Sequence, residues 1–165
     1  IDELARWRRI KRAETRWVPA EWVMDRVAGL DRFYAAWHGE ALAHISWVSL
    51  VGQPTSLPGI RVGSAEAEVR AAYTEPVYRG RGLFTATLQS LLWDLSLSGV
   101  KVVFAHVRPT NQASLRAFQS AGFTVAGRCF VTCRLGRRWV EYQPLNQSQA
   151  EASPKSLRFG DCRIG

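Results

Sequence analysis

A mixed α/β fold, a central sheet with helices packed about it, is predicted by three consecutive stretches of the chain. Residues 65–74 alternate apolar and polar side chains, as a half-buried strand does. Residues 83–98 place Leu83, Phe84, Leu88, Leu91, Leu92 and Leu95 at helical spacing, with Gly99 as a natural stop. Residues 100–107 then form an apolar run of the kind found in buried strands. At 165 residues the chain holds one domain with a sizeable core and is short for two. We expect a single domain over residues 1–145 and a polar, poorly ordered tail over 146–165.

Taken in order, residues 2–17 carry Leu4, Trp7 and Ile10 among charges, a helical spacing with a basic outer face. Pro19 suits the first turn of a second helix, which carries Trp22, Val23 and Val27 and ends at Gly29. Residues 33–37 and 41–50, rich in aromatic and β-branched side chains, read as a hairpin around His38-Gly39-Glu40. Gly52 to Gly63 holds two prolines and three glycines and is a loop. In the strand that follows, Ala65, Ala67, Val69 and Ala71 form one face, Glu66, Glu68, Arg70 and Ala72 the other, and Pro76 stops it. After the helix and buried strand come a short helix from Asn111 to Ala121, closed by Gly122, and strands at 123–125 and 130–135. A turn at Gly136 leads into a last strand over 139–142.

Composition excludes more than it selects. A hydrophobic fraction of 47% and a charged fraction of 22% are those of an ordinary globular domain, not a disordered one. No run of about 18 apolar residues is present to span a membrane, and no charged-then-apolar leader is visible. Cys129, Cys133 and Cys162 are odd in number and form no CxxC pair, so we expect reduced thiols, a cytoplasmic setting and no metal site; His38 and His44 do not change that. The net charge of +8 is carried mostly by arginine and suits a phosphate-bearing ligand, nucleic acid or an acidic surface equally.

The chemistry concentrates in Tyr78-Arg79-Gly80-Arg81-Gly82-Leu83, between a strand and a helix. Glycine lets the backbone approach a ligand closely, and the first N–H groups of a helix lack partners and can point at an anion. Arg79 and Arg81 add charge-assisted donors. The Gly-Lys-Ser/Thr end of a Walker loop is absent, and Thr85 stands where a dinucleotide-binding fingerprint has its third glycine. A glycine-rich turn with two solvent-facing arginines would leave the same pattern.

Downstream, Asn111, Ser114, Gly122 and Phe123 recur at a fixed spacing after the second strand. The two blocks together resemble the GCN5-related N-acetyltransferase (GNAT) superfamily. Arg79-Gly80-Arg81-Gly82 matches its Gln/Arg-x-x-Gly cofactor motif, and Asn111 to Phe123 its later Asn-x-x-Ser motif, over roughly residues 33–142. The resemblance implies parallel strands that splay apart, Ala72–Thr74 from Val103–Val107, with acyl-CoA between them. It assigns Ala72, Thr74, Arg79, Gly80, Arg81, Gly82, Leu83, Phe84, Thr85, Asn111, Ser114 and Phe118 to the cofactor. Backbone N–H groups near Tyr73 and Thr74 would hold the thioester oxygen. Two positions depart from the pattern: Phe84 replaces a small residue, and Phe118 replaces the tyrosine that often protonates the departing thiolate. The family's first strand is not evident before the opening helices.

The resemblance further implies an acetyl-CoA-dependent N-acyltransferase acting on a small-molecule or peptide amine in a ternary complex. His106, five residues before Asn111, stands where some members have a glutamate base, and histidine has an ordinary pKa of about 6.5. Glu68 and Glu66 are rival bases on the preceding strand, and Tyr73 could supply the missing acid. Each also has a plainer reading: a satisfied strand histidine, a solvated strand face, a packing aromatic, and for Asn111 a helix cap. A module that binds acyl-CoA without turnover and a basic nucleic-acid-binding domain are the competing functions; no nucleic-acid motif supports the latter.

Overall fold

The computed structural model describes residues 29–163, apart from 31, 40 and 146–157. The two helices expected before Gly29 lie outside the described residues. Seven strands and two α-helices follow: β1 Arg32–His38, β2 Ala41–Ser49, β3 Glu66–Thr74, α1 Leu83–Leu97, β4 Val102–His106, α2 Gln112–Ser120, β5 Val125–Arg134, β6 Arg137–Pro144 and β7 Arg158–Arg163. They form one mixed sheet in the order β1-β2-β3-β4-β7-β5-β6. Only β3 and β4 run parallel to each other; every other neighbouring pair is antiparallel.

Two ends differ from expectation. The strands anticipated at 123–125 and 130–135 are one strand, while Phe123 turns into the core below α2. The tail contributes β7, which sits between β4 and β5 and pairs Val103 with Cys162 and Val125 with Phe159. A short polar segment can hold such a place because its ladder bonds come from the backbone and ask little of its side chains.

The apolar stripe of α1, Leu88, Leu91, Leu92 and Leu95, packs on Val48, Ala67, Val69, Val103 and Ala105 of the sheet, and α2 adds Leu115 and Phe118. The opposite face carries Leu30, Leu42, Ile45 and Trp47, with Ala71 and Tyr73 against them. Alternation along β3 would put Ala71 and Tyr73 with Val69. It fails because the register against β2 slips between Trp47↔Arg70 and Ile45↔Tyr73, and Ala71 takes a φ of 49°. One extra residue in a strand exchanges the faces of everything beyond it. The bulge therefore turns Tyr73 away from α1 and Thr74 towards it.

Candidate functional site

The parallel ladder between β3 and β4 runs from Glu66↔Val102 to Val69↔Ala105 and stops there, although β3 continues to Thr74. The ladder ends one residue before β4 itself does, at His106, so along Ala72 to Thr74 β3 runs on beyond its parallel neighbour. A single 3₁₀ turn, Pro76–Tyr78, then leads through Arg79 to α1.

Gly80 and Gly82 have φ of 74° and 73°, a left-handed conformation that glycine alone adopts without strain. Nothing lies within 4 Å of where a Cβ would stand on either. The turn is therefore glycine for its backbone shape, and its outer side is open. Gly82 is the N-cap of α1, no side chain caps it, and no acidic residue lies in the first turn. The helix's first internal bond is Ala86 N–H to the Gly82 carbonyl, so the N–H groups of Leu83, Phe84 and Thr85 have no acceptor within the helix. Arg79 donates its Nε–H to the Thr74 carbonyl at 3.0 Å, and the Arg81 guanidinium lies 5.5 Å from the Tyr78 ring centre. Both arginines are exposed at the rim of this positive helix end.

At the end of this ladder the structure joins two of the candidate bases. His106 Nδ1 is 2.8 Å from Glu68 Oε1. Glu68 is fully buried, so its sequence reading as a solvated strand residue is corrected. Its carboxylate also accepts from the Ser56 N–H, at 3.0 Å to Oε2. An ionised carboxylate only accepts, so against it a neutral His106 carries its proton on Nδ1 and keeps a lone pair on Nε2. Nε2 is buried and has no hydrogen-bond partner among the described residues. Glu66 plays no part in this pair; it accepts from the Gly63 N–H. Tyr73 lies on the same sheet face, further along β3, with the Arg79 guanidinium 5.8 Å from its ring centre.

The loop of residues 50–63 is tied down beside this pair. The Pro54 carbonyl accepts from Ser49 Oγ at 2.6 Å and from Arg70 Nη1 at 2.9 Å. A cavity of about 510 Å³ lined by Arg32, Phe33, Leu50, Val51 and Gln53 opens at the other end of β2, away from Thr74.

On α2, Asn111 is the N-cap, its Oδ1 accepting from the Ser114 N–H at 3.2 Å. Phe118 is buried, edge-on to Phe84 at 5.2 Å and to Phe123 at 4.9 Å. It holds the start of α1 against α2 and offers no proton.

One residue of the site escaped the sequence reading. His44, 1% exposed, bonds Thr74 Oγ1 through Nδ1 and Ser46 Oγ through Nε2, both at 2.7 Å, and stacks on Phe84 at 5.0 Å. Burial lowers its pKa to about 4, so it is neutral at neutral pH. It ties β2, the end of β3 and the first turn of α1 together. The available signal was polar His44, Ser46 and Ser49 within a strand otherwise apolar enough for full burial, since each such group needs a partner.

Among the described residues no helix is long and apolar enough to cross a membrane. Residues 2–123 match the acetyltransferase (GNAT) family. The N-alpha-acetyltransferase RimI of Mycobacterium tuberculosis is 30% identical over 111 residues, which cover 67% of this chain and 63% of the relative. The structure of yncA from Salmonella typhimurium with its cofactor acetyl-CoA superposes with a TM-score of 0.54 at 22% identity, over 88% of this chain and 71% of that one. The structure of AAC(6')-Ib in complex with paromomycin and acetyl-CoA superposes at 0.51 and 16% identity, over 73% and 66%. At those identities the two structures share the fold with this chain.

Proposed function

The chain belongs to the acetyltransferase (GNAT) family, and on that premise we propose that it moves an acetyl group from acetyl-CoA to a primary amine of a small molecule or peptide. The observation that carries the proposal is a coincidence of place. The β3–β4 ladder ends at Val69↔Ala105 while β3 runs on, the open glycine turn and uncapped α1 follow β3, and the Glu68–His106 pair stands at the ladder's end.

In this role the N–H groups of the Gly80–Thr85 segment and the guanidinium groups of Arg79 and Arg81 hold the pyrophosphate. Asn111 and Ser114 border it from α2, and Ala72 and Thr74 flank the acyl arm. Bound acetyl-CoA supplies a thioester carbonyl activated for attack. Backbone N–H groups near Tyr73 and Thr74 stabilise the charge that develops on its oxygen. The amine reacts in its neutral form, and the proton it loses as its bond to the acyl carbon forms passes through a water to the buried His106 Nε2. Glu68 holds the imidazole in the tautomer able to take it and steadies the positive charge it acquires. The departing thiolate takes its proton from Tyr73 or from water, since Phe118 has none to give; Tyr73→Phe separates these two sources.

Two acceptor classes define the test. The Mycobacterium relative is named for α-amino groups and AAC(6')-Ib was solved with an aminoglycoside. Release of free thiol from acetyl-CoA is followed with peptides bearing free α-amino groups, with aminoglycosides, and with neither. Thiol release that needs an amine, and that falls by about 10²–10⁴ in kcat in His106→Gln with little change in KM for acetyl-CoA, is the expected result. Stabilisation by acetyl-CoA without thiol release on any amine would leave only a binding module.

A further inference from the structure

Outside the site, the β5–β6 ribbon stands apart. β5 pairs with β7 only at Val125 and Gly127, so from Arg128 onward β5 and β6 pair with each other alone among the described residues, and β6 is an edge of the sheet. Phe130 is 44% exposed, Trp139 60% and Leu135, at the tip, 97%. A two-stranded ribbon wet on both faces is marginal by itself, and an edge strand with apolar side chains is a template for another strand.

The register tells which strand fits. Arg134↔Arg137 closes a two-residue turn, Leu135-Gly136, with both residues left-handed at φ of 51° and 72°. The closing pair of such a hairpin exchanges both backbone bonds. Arg137, Trp139 and Glu141 therefore turn their N–H and C=O groups towards β5, while Arg138 and Val140 turn theirs to the open edge. Arg137, Trp139 and Glu141 also share one face of the ribbon. Pairing β6 antiparallel with a second β6 about a two-fold axis at Trp139 puts that tryptophan opposite its own copy. It puts Arg137 opposite Glu141 of the partner subunit, twice, and brings the outward backbone groups of Arg138 and Val140 together. The sequence Arg-Arg-Trp-Val-Glu is thus complementary to itself when reversed, as an isologous contact requires. An anionic polymer on the same face would meet Glu141.

From this complementarity we infer that β6 is the contact strand of a symmetric dimer of this chain, with Trp139 at the dyad and two Arg137–Glu141 pairs beside it. The test is light scattering on the full 165-residue chain across a concentration series. Wild type gives twice the chain mass of 18.5 kDa at the upper end. Arg137→Glu and Glu141→Arg, each placing like charges in both contacts, raise the dissociation constant by about tenfold or more, and the double swap restores it. Circular dichroism checks that each single variant folds. A wild-type mass of one chain throughout, or a dimer indifferent to both single swaps, overturns the inference.

Discussion

His44 makes the stability of this protein depend on acid in a way that can be worked out beforehand. Its pKa falls from the ordinary 6.5 to about 4 because burial penalises the imidazolium. The folded state therefore resists a proton that the unfolded chain accepts. The stability this contributes is complete above pH 6.5 and is lost as the pH falls from 6.5 through 4. At 1.36 kcal/mol per pKa unit the loss approaches roughly 3 kcal/mol. His44→Gln keeps a side chain that can donate and accept but cannot titrate, so it isolates the effect from the carboxylates that also respond to acid. In urea unfolding series at pH 7 and pH 4, the stability of wild type relative to His44→Gln should fall by roughly that amount. At a slope of about 2 kcal/mol/M this moves the difference in midpoints by roughly 1.5 M. Because His44 holds Thr74 and Phe84, acetyl-CoA binding should weaken over the same range. A stability difference that stays level between the two pH values would refute the reasoning, since it would mean His44 is protonated as easily in the fold as out of it.

Further outcomes follow from the same geometry. Glu68→Gln removes the acceptor-only partner of His106 and lowers kcat by about tenfold or more while leaving KM for acetyl-CoA within about twofold, read from thiol release. Gly82→Ala puts a side chain on a left-handed residue with open space around it; the cost is backbone strain alone, roughly 1–2 kcal/mol in urea unfolding, with a raised KM for acetyl-CoA. Phe118→Tyr adds a hydroxyl to a ring packed between Phe84 and Phe123, and calorimetry should show a loss of roughly 1–3 kcal/mol for an unpaired buried group.

The elements that frame the site were legible because periodicity reports burial: the Leu88–Leu95 stripe, the 102–106 strand and the Asn111 cap stand where the spacing puts them. The glycine turn was legible because few backbones require Gly-x-Gly there. The bulge at Ala71 was not, since Ala71 and Ala72 are both small and apolar and no pattern tells which faces the helix. The Glu68–His106 bond joins residues 38 apart and exists only because β3 and β4 run parallel with Glu68 beside Phe104. A sequence could propose each as a base but not that the two are bonded. β7 was missed because its ladder depends on backbone groups, which every sequence carries alike.

The central claim is that the end of the β3–β4 ladder, with the Gly80–Gly82 turn, holds acetyl-CoA for transfer. It is tested most directly by thermal unfolding with and without acetyl-CoA at saturating concentration, in wild type and Gly82→Ala. A ligand at about 100 times its dissociation constant stabilises by about 2.7 kcal/mol, so wild type should melt several degrees higher with acetyl-CoA, and Gly82→Ala should gain less at equal concentration. An unchanged melting temperature in wild type would contradict the account.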